Sequence, residues 1–208
     1  MINKKPTKEE LEAQAQQFIS DSDFNELLRK NFKVIEDELN LHPTDGYPPH
    51  LMIHGEKDKD GKRLTTLVLV ADGFQDNKKQ ELVFGMGHKF ATDGNHHAVC
   101  VFMATEAWMA GETKDEKLKD LPPSQRPDKQ EGLVMAGLTI DGRANMATAM
   151  IKRIKGNKMM LYSEKFMDYK NGEINTDPVL LKQFMAGYII GMVLGKKNPV
   201  PKKETKPN

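Results

Sequence analysis

The sequence lacks the features that most often reveal a function from composition alone. It has one cysteine in 208 residues, which excludes an intrachain disulfide framework. Basic and acidic residues nearly balance, 31 against 30, so the basic excess typical of nucleic-acid binding is missing. No apolar run reaches the roughly 18 residues that a membrane span needs, and the first residues contain no apolar core of a secretory signal. We therefore expect a cytoplasmic protein with no membrane partner and no strong nucleic-acid signal.

Motifs of the common catalytic classes are also missing. The sequence contains no HExxH, CxxC, GxSxG or GxGxxG pattern, and Cys100 lies in an apolar run, where a reactive thiolate is disfavoured. His88, Asp93, His96 and His97 are residue types that bind zinc, but their spacing matches no known signature and fits a polar helix-to-strand corner better. We therefore expect no cofactor and no metal, leave catalytic residues unassigned, and favour a role other than catalysis.

What the sequence does contain is a strong strand signal in its middle. Residues 99–108 alternate in side-chain direction and are largely apolar on both faces, which predicts a central strand covered on both sides. Three further strand-like runs, 133–140, 144–154 and the stretch that ends near 164, follow a long polar loop. The dipeptides Asp141-Gly142 and Gly156-Asn157 separate them, which predicts a three-stranded antiparallel meander. Two-residue turns would pair Ala136 with Ala147 and Lys152 with Leu161.

The remaining segments predict helices around a second hairpin. Helical spacing over 7–41 indicates two helices, residues 75–92 another, and the apolar stretch after Asp177-Pro178 a last one. Strands 51–53 and 64–71 flank Asp60-Gly61, and a two-residue turn there would pair Ile53 with Val68.

These elements give the order ααββαββββα, an α+β fold in which helices flank an antiparallel sheet built from two hairpin or meander units. We expect residues 1–6 to be disordered, 7–195 to form a single domain, and the Lys/Pro-rich tail 196–208 to be disordered.

Glycines recur every four residues in the last helix, at Gly187, Gly191 and Gly195. In lipid this spacing is typical of a helix dimer face. Because the helix is too short to cross a bilayer, the spacing instead predicts a close contact between the helix and the sheet.

The end of the central strand and the loop after it form the candidate functional site. Glu106 and Trp108, the only tryptophan, follow the same face of the strand out of the core. Loop 111–131 then has almost no apolar content, and connections of this length inside a domain are often functional. The polar residues of this loop that we predict to bind a partner are Ser124, Arg126, Asp128 and Glu131.

Two functions fit this site. In the first, the strand end and the loop recognise another protein, and a homo-oligomer is also compatible with the sequence. In the second, Glu106, Asp128 and Glu131 form a carboxylate cluster that binds a divalent metal in a hydrolase or nuclease-like enzyme. Since Glu106 and Glu131 would repel each other, we expect a cation to join them, and Arg126 is the nearest in sequence. We therefore predict a cluster in which Arg126 binds Glu106, Asp128 or Glu131 and fixes the loop over Trp108.

The stretches EAWM at 106–109, PSQRPDKQEGLVMAG at 123–137 and DGR at 141–143 resemble a family of uncharacterised phage and prokaryotic proteins. In that family a strand ends in Glu-Ala-Trp, and a loop with a Pro-Ser and Pro-Asp pattern follows. The resemblance implies no known activity. It implies that Glu106, Trp108, Ser124, Pro127, Asp128 and Glu131 act together. Because the family occurs in phage and in prokaryotic genomes, a phage-encoded protein is one of the two origins it implies.

Overall fold

The computed structural model of the protein describes residues 18–41, 46–70, 78–95, 97–110, 115–154, 158–168 and 178–197. In chain order the elements are helix α1 (Asp21–Leu41), strands β1 (His50–Lys57) and β2 (Arg63–Leu69), helix α2 (Lys79–Thr92), strand β3 (Ala98–Met109), the short helix α3 (Glu116–Lys119), a 3₁₀ turn (Pro123–Gln125), strands β4 (Gln130–Thr139), β5 (Ala144–Ile154) and β6 (Lys158–Met167), and helix α4 (Val179–Lys197). The predicted α+β class is confirmed. The predicted first helix up to residue 17, the terminus 1–6 and the tail beyond 197 lie outside the described residues.

One antiparallel sheet contains all six strands in the order β2-β1-β3-β4-β5-β6. Strand β3 lies in the middle and joins the β1–β2 hairpin to the β4–β6 meander. Its predicted alternation holds from residue 100: Cys100 and Phe102 face one core, and Val101 and Met103 face the other, but Val99 packs with the cluster of Cys100. The two predicted units are therefore halves of a single sheet, and β3 is buried on both faces.

Helix α1 covers one face of the sheet. The Ser20 hydroxyl accepts a hydrogen bond from the Asp23 amide at 3.1 Å and caps the helix, as the sequence predicts. Every third or fourth residue then carries a large apolar side chain, so one stripe of the helix packs on the strands. The buried members of this stripe are Phe24, Leu28, Phe32, Ile35 and Leu39.

Helices α2 and α4 cover the opposite face and cross each other at very short range. A Cβ atom on Gly87 would lie 2.1 Å from the carbonyl oxygen of Phe184, and one on Gly187 would lie 2.1 Å from that of Phe84. Each helix therefore offers a glycine at the point where the other helix's backbone passes. The predicted contact of these α4 glycines with the sheet was wrong, because Gly187 and Gly191 allow α4 to approach α2. The helix also continues to Lys197, past the predicted end at Gly195.

The Asp-Gly dipeptides of the two hairpins, at 60–61 and 141–142, form three-residue loops where two-residue turns were predicted. Thr139 donates to the Arg143 carbonyl at 2.9 Å, and Gly142 donates to the Thr139 carbonyl at 3.0 Å. Gly142 has a φ of 90° and Gly61 a φ of 76°, in the left-handed region that glycine tolerates best. This is a type I turn followed by a left-handed glycine, the usual three-residue hairpin.

The extra loop residue displaces each predicted register. Ala136 pairs with Met146 and not Ala147, and Lys152 pairs with Met160 and not Leu161. In the first hairpin Ile53 pairs with Thr66 and not Val68, because a further irregularity lies between His54 and Lys57. The predicted Gly156-Asn157 turn itself lies outside the described residues.

Among the helices described, none combines the length and the apolar content required to cross a membrane.

Candidate functional site

The last residues of β3 meet the first residues of β4. Trp108 lies directly opposite Glu131, and Glu106 lies opposite Leu133. Since directly opposed residues of an antiparallel pair project to the same face, Glu106, Trp108 and Glu131 share the face that α1 covers nearer the middle of the sheet. Trp108 is 45% exposed at this edge.

Arg153, at the end of β5, is the cation between Glu106 and Glu131. Its Nε donates to Glu131 Oε2 at 2.7 Å, and its Nη2 lies 3.5 Å from Glu106 Oε2. The other oxygen of Glu106 accepts a hydrogen bond from the backbone amide of Tyr47, in the segment that leads into β1. One guanidinium therefore ties three strands together where two carboxylates would otherwise repel.

Of the three carboxylates predicted as partners of Arg126, the structure shows Asp128 bound to it, while Arg153 lies between the glutamates. It binds Asp128 through two parallel hydrogen bonds, Nε to Oδ1 at 3.0 Å and Nη2 to Oδ2 at 2.7 Å. The Arg126 side chain is only 9% exposed, so its burial against the domain anchors the loop while Asp128 neutralises its charge. Hydrogen bonding from Arg126 also holds the pKa of the Asp128 carboxyl below its usual value.

Lys129 fastens the loop to the tryptophan. Its Nζ lies 4.8 Å from the centre of the Trp108 ring, a cation–π geometry, and donates to the Ser124 carbonyl oxygen at 2.8 Å. Ser124 therefore takes part through its backbone. Ser124 lies in the 3₁₀ turn, so the hydrogen bond from Lys129 joins that turn to the end of β3.

The loop carries more regular structure than its composition predicts. Residues 115–129 contain helix α3 and the 3₁₀ turn, and the Asp115 carboxylate caps α3 by accepting from the Lys117 amide at 3.0 Å. Three prolines disfavour a regular strand or a long helix, but they permit short helical turns that begin at a proline. Residues 111–114 of the loop lie outside the described part.

The carboxylates are engaged by arginines. Glu106 and Glu131 share Arg153, and Asp128 binds Arg126, so a divalent cation would have to displace a guanidinium to reach any of them. Within the described ranges no group of three or more His, Cys, Asp or Glu side chains is placed to hold a metal ion. His96, one of the zinc candidates, lies outside those ranges.

Sequence reasoning missed Arg153, Lys129 and the Tyr47 amide. A signal for Arg153 exists: it lies an even number of residues after Ala147, Ala149 and Ile151, which are buried on the α1 face. A charged residue on the buried face of a strand end predicts an ion pair or hydrogen bond at the margin of the core.

Comparisons with protein-family models, with curated proteins and with solved structures found no match to this chain.

Removing the Arg126 side chain should loosen the loop and leave the rest of the fold intact. In Arg126→Ala, Asp128 loses its two hydrogen bonds and the loop loses its buried anchor, so Lys129 no longer holds a fixed position over Trp108. We expect faster proteolysis within 115–129, a change in Trp108 fluorescence, and a loss of about 1 kcal/mol in global stability. Limited proteolysis and emission spectra measure these effects.

Lys117→Ala is the matched control, because it removes an exposed charge from the same loop while its backbone hydrogen bond to Asp115 stays. If Arg126→Ala and Lys117→Ala were cleaved at the same rate with the same spectrum, Arg126 would not be the anchor of the loop.

Proposed function

We propose that this chain is a cytoplasmic, phage-encoded binding or accessory protein. It uses loop 111–131 and the Glu106/Trp108 strand end to recognise another protein. The observation that carries the proposal is a half-exposed tryptophan fixed on a strand end by a lysine. Tryptophan is among the residues that most often dominate the binding energy of protein interfaces.

The surroundings of Trp108 support recognition of a protein surface. The indole provides apolar area, and the charged side chains of Lys129, Glu131 and Arg153 lie around it. An apolar centre with a polar rim is the usual anatomy of an interface between proteins. The charges also offer complementary pairing to a partner that carries both signs.

The preorganisation of the site also supports binding. Hydrogen bonds fix Arg153, Arg126 and Lys129 in place. A partner that docks here would not have to order this surface first, which lowers the entropic cost of association. The arginine partners of Glu106, Asp128 and Glu131 give the carboxylates a structural role, and this favours binding over metal-dependent hydrolysis.

Affinity capture with substituted baits tests the proposal. The wild-type chain, Trp108→Ala and Tyr162→Ala are immobilised and exposed to lysate of infected host cells, and bound proteins are identified by mass spectrometry. Tyr162 is the matched control, since it is an aromatic residue on the same sheet with 41% exposure, close to that of Trp108. We expect a protein that binds the wild type and Tyr162→Ala and is depleted at least tenfold on Trp108→Ala.

Two results would contradict the proposal. One is an identical set of captured proteins for all three baits. The other is a wild-type bait that retains no protein while Mg²⁺, Mn²⁺ or Zn²⁺ raises its melting temperature and the rise vanishes in Glu131→Gln, which would favour the metal-dependent enzyme.

A further inference from the structure

The two edges of the sheet differ in how they are protected against pairing. Strand β6 contains a bulge where Ser163 has a φ of 53°, and charged residues follow at Glu164 and Lys165. Bulges and charges are the devices by which natural proteins block edge strands. Strand β2 has neither between Leu64 and Leu69.

The exposed side chains of β2 are also unusual for an edge. Leu64 is 72% exposed, and Leu67 and Leu69 are each 57% exposed. Within the described part of the chain β2 pairs with β1 alone. An edge stretch without charges, with exposed leucines and one unpaired side, is a template for a further strand.

The hydrogen-bond pattern identifies which backbone groups point away from β1. The Val70 amide donates to the Pro49 carbonyl at 2.8 Å, and Val68 is paired with Leu51 in the same register. Because bonded and non-bonded positions alternate along an antiparallel strand, Thr66, Val68 and Val70 bond towards β1. The N–H and C=O groups of Thr65, Leu67 and Leu69 therefore point outward.

We propose that two copies of this chain associate by antiparallel pairing of their β2 strands about a two-fold axis at Leu67. In this register Leu67 lies opposite its own counterpart, and Thr65 lies opposite Leu69 of the second copy. All outward N–H groups of these three residues then donate to carbonyls of the other copy. The two sheets become one continuous sheet.

The strand favours a second copy of this chain as its occupant because its pattern is self-complementary. The leucines at 67 would pack against each other on one face, and no charged side chain lies in the paired stretch. Arg63, at the start of the strand, is already bound to Asp23 and to the Gly55 carbonyl, so its charge stays within its own copy. A two-fold contact of this kind closes on itself and ends at the dimer.

Sedimentation velocity of the full chain tests the proposal. We expect a concentration-dependent dimer for the wild type and a monomer for Leu67→Lys, since a lysine at the axis places two like charges opposite each other. Met160→Lys, on the other edge strand at 42% exposure, is the matched control and should dimerise like the wild type. Circular dichroism should show the same fold for all three.

Disulfide trapping tests the register. Paired Cα atoms at bonded positions are about 5.5 Å apart, within the range that a disulfide spans. Oxidised Leu67→Cys should therefore migrate as a covalent dimer, whereas Met160→Cys and the wild type, whose one cysteine is buried, should not.

A wild type that is monomeric at all accessible concentrations would overturn the proposal. So would a dimer that Leu67→Lys leaves intact, or oligomers larger than two. A dimer that Leu67→Lys abolishes but Leu67→Cys fails to trap would overturn the Leu67-centred register.

Discussion

Gly87→Ala should lower the free energy of unfolding by about 3 kcal/mol or more, whereas Gly85→Ala, on the same helix, should raise it. The new methyl at residue 87 would lie 2.1 Å from the carbonyl oxygen of Phe184. That oxygen belongs to the backbone of α4, so no side chain can rotate aside, and the two helices must separate. Separation also disturbs the reciprocal contact at Gly187, where an added Cβ atom would lie 2.1 Å from the carbonyl oxygen of Phe84.

Gly85 provides a closely matched control. A Cβ there meets nothing within 4 Å, and replacing a helical glycine by alanine stabilises a helix by about 0.5–1 kcal/mol. Urea denaturation of the three proteins measures the difference. Equal midpoints for Gly87→Ala and Gly85→Ala would mean that α2 and α4 do not cross at this distance.

Acidification should destabilise the protein through His54, and the part of the loss that His54 causes should disappear in His54→Gln. His54 is 2% exposed and packs edge-on against Phe102. Asn31 Nδ2 lies 2.9 Å from its Nε2, and Thr65 Oγ1 lies 2.9 Å from its Nδ1. With Asn31 donating to Nε2, the neutral ring carries its proton on Nδ1 and donates to Thr65. A protonated ring would set two donors against each other at Asn31.

The sign and the pH window follow from the pKa. Burial, and secondarily the charge of Arg63, lower the pKa of His54 from 6.5 to about 4. Between these values the unfolded chain binds a proton that the folded chain does not, so stability falls as the pH drops. The contribution is fully present above pH 6.5 and lost by about pH 4, and it amounts to about 3 kcal/mol.

Urea denaturation at several pH values between 7 and 4, for the wild type and His54→Gln, measures this contribution. Carboxyl groups such as Asp23, whose pKa is lowered chiefly by its hydrogen bond with Lys57, also lose stabilising interactions at low pH. The difference between the two profiles isolates His54. Parallel profiles for the two proteins would show that His54 does not titrate as described.

The fold class was predictable because the alternation in β3 and the helical spacing in α1 are strong patterns. The register of the meander was not, for a physical reason. Strand β5 is largely apolar on both faces. A one-residue slip would therefore exchange one largely apolar set of side chains for another, and the hydrophobic pattern does not favour either register. An Asp-Gly dipeptide serves both two- and three-residue hairpins, so it fixes the place of the turn and not its length.

The site was predicted in outline: Arg126 binds Asp128, one of its three predicted partners, but the cation between the glutamates is Arg153. The expected nearness of Glu131 to Glu106 is confirmed, since Glu131 lies opposite Trp108, two residues along the same face of β3. The choice of Arg126 rested on nearness in sequence, whereas Arg153 reaches the glutamates from a strand that is distant in sequence but adjacent in space. The glycine spacing in α4 had the same limit. It predicts that a backbone passes close by, but the identity of that backbone depends on tertiary structure.

Because the single cysteine lies on the central strand, its reaction with a thiol reagent can measure how often the middle of the sheet opens. Cys100 is fully buried on β3, and burial raises the pKa of its thiol to about 12. A thiol reagent can reach it only when β3 separates from its cover, because reaction needs the thiolate and solvent access. The rate of modification under native conditions therefore reports how often the centre of the sheet opens, while fraying of the edge strands leaves it unchanged.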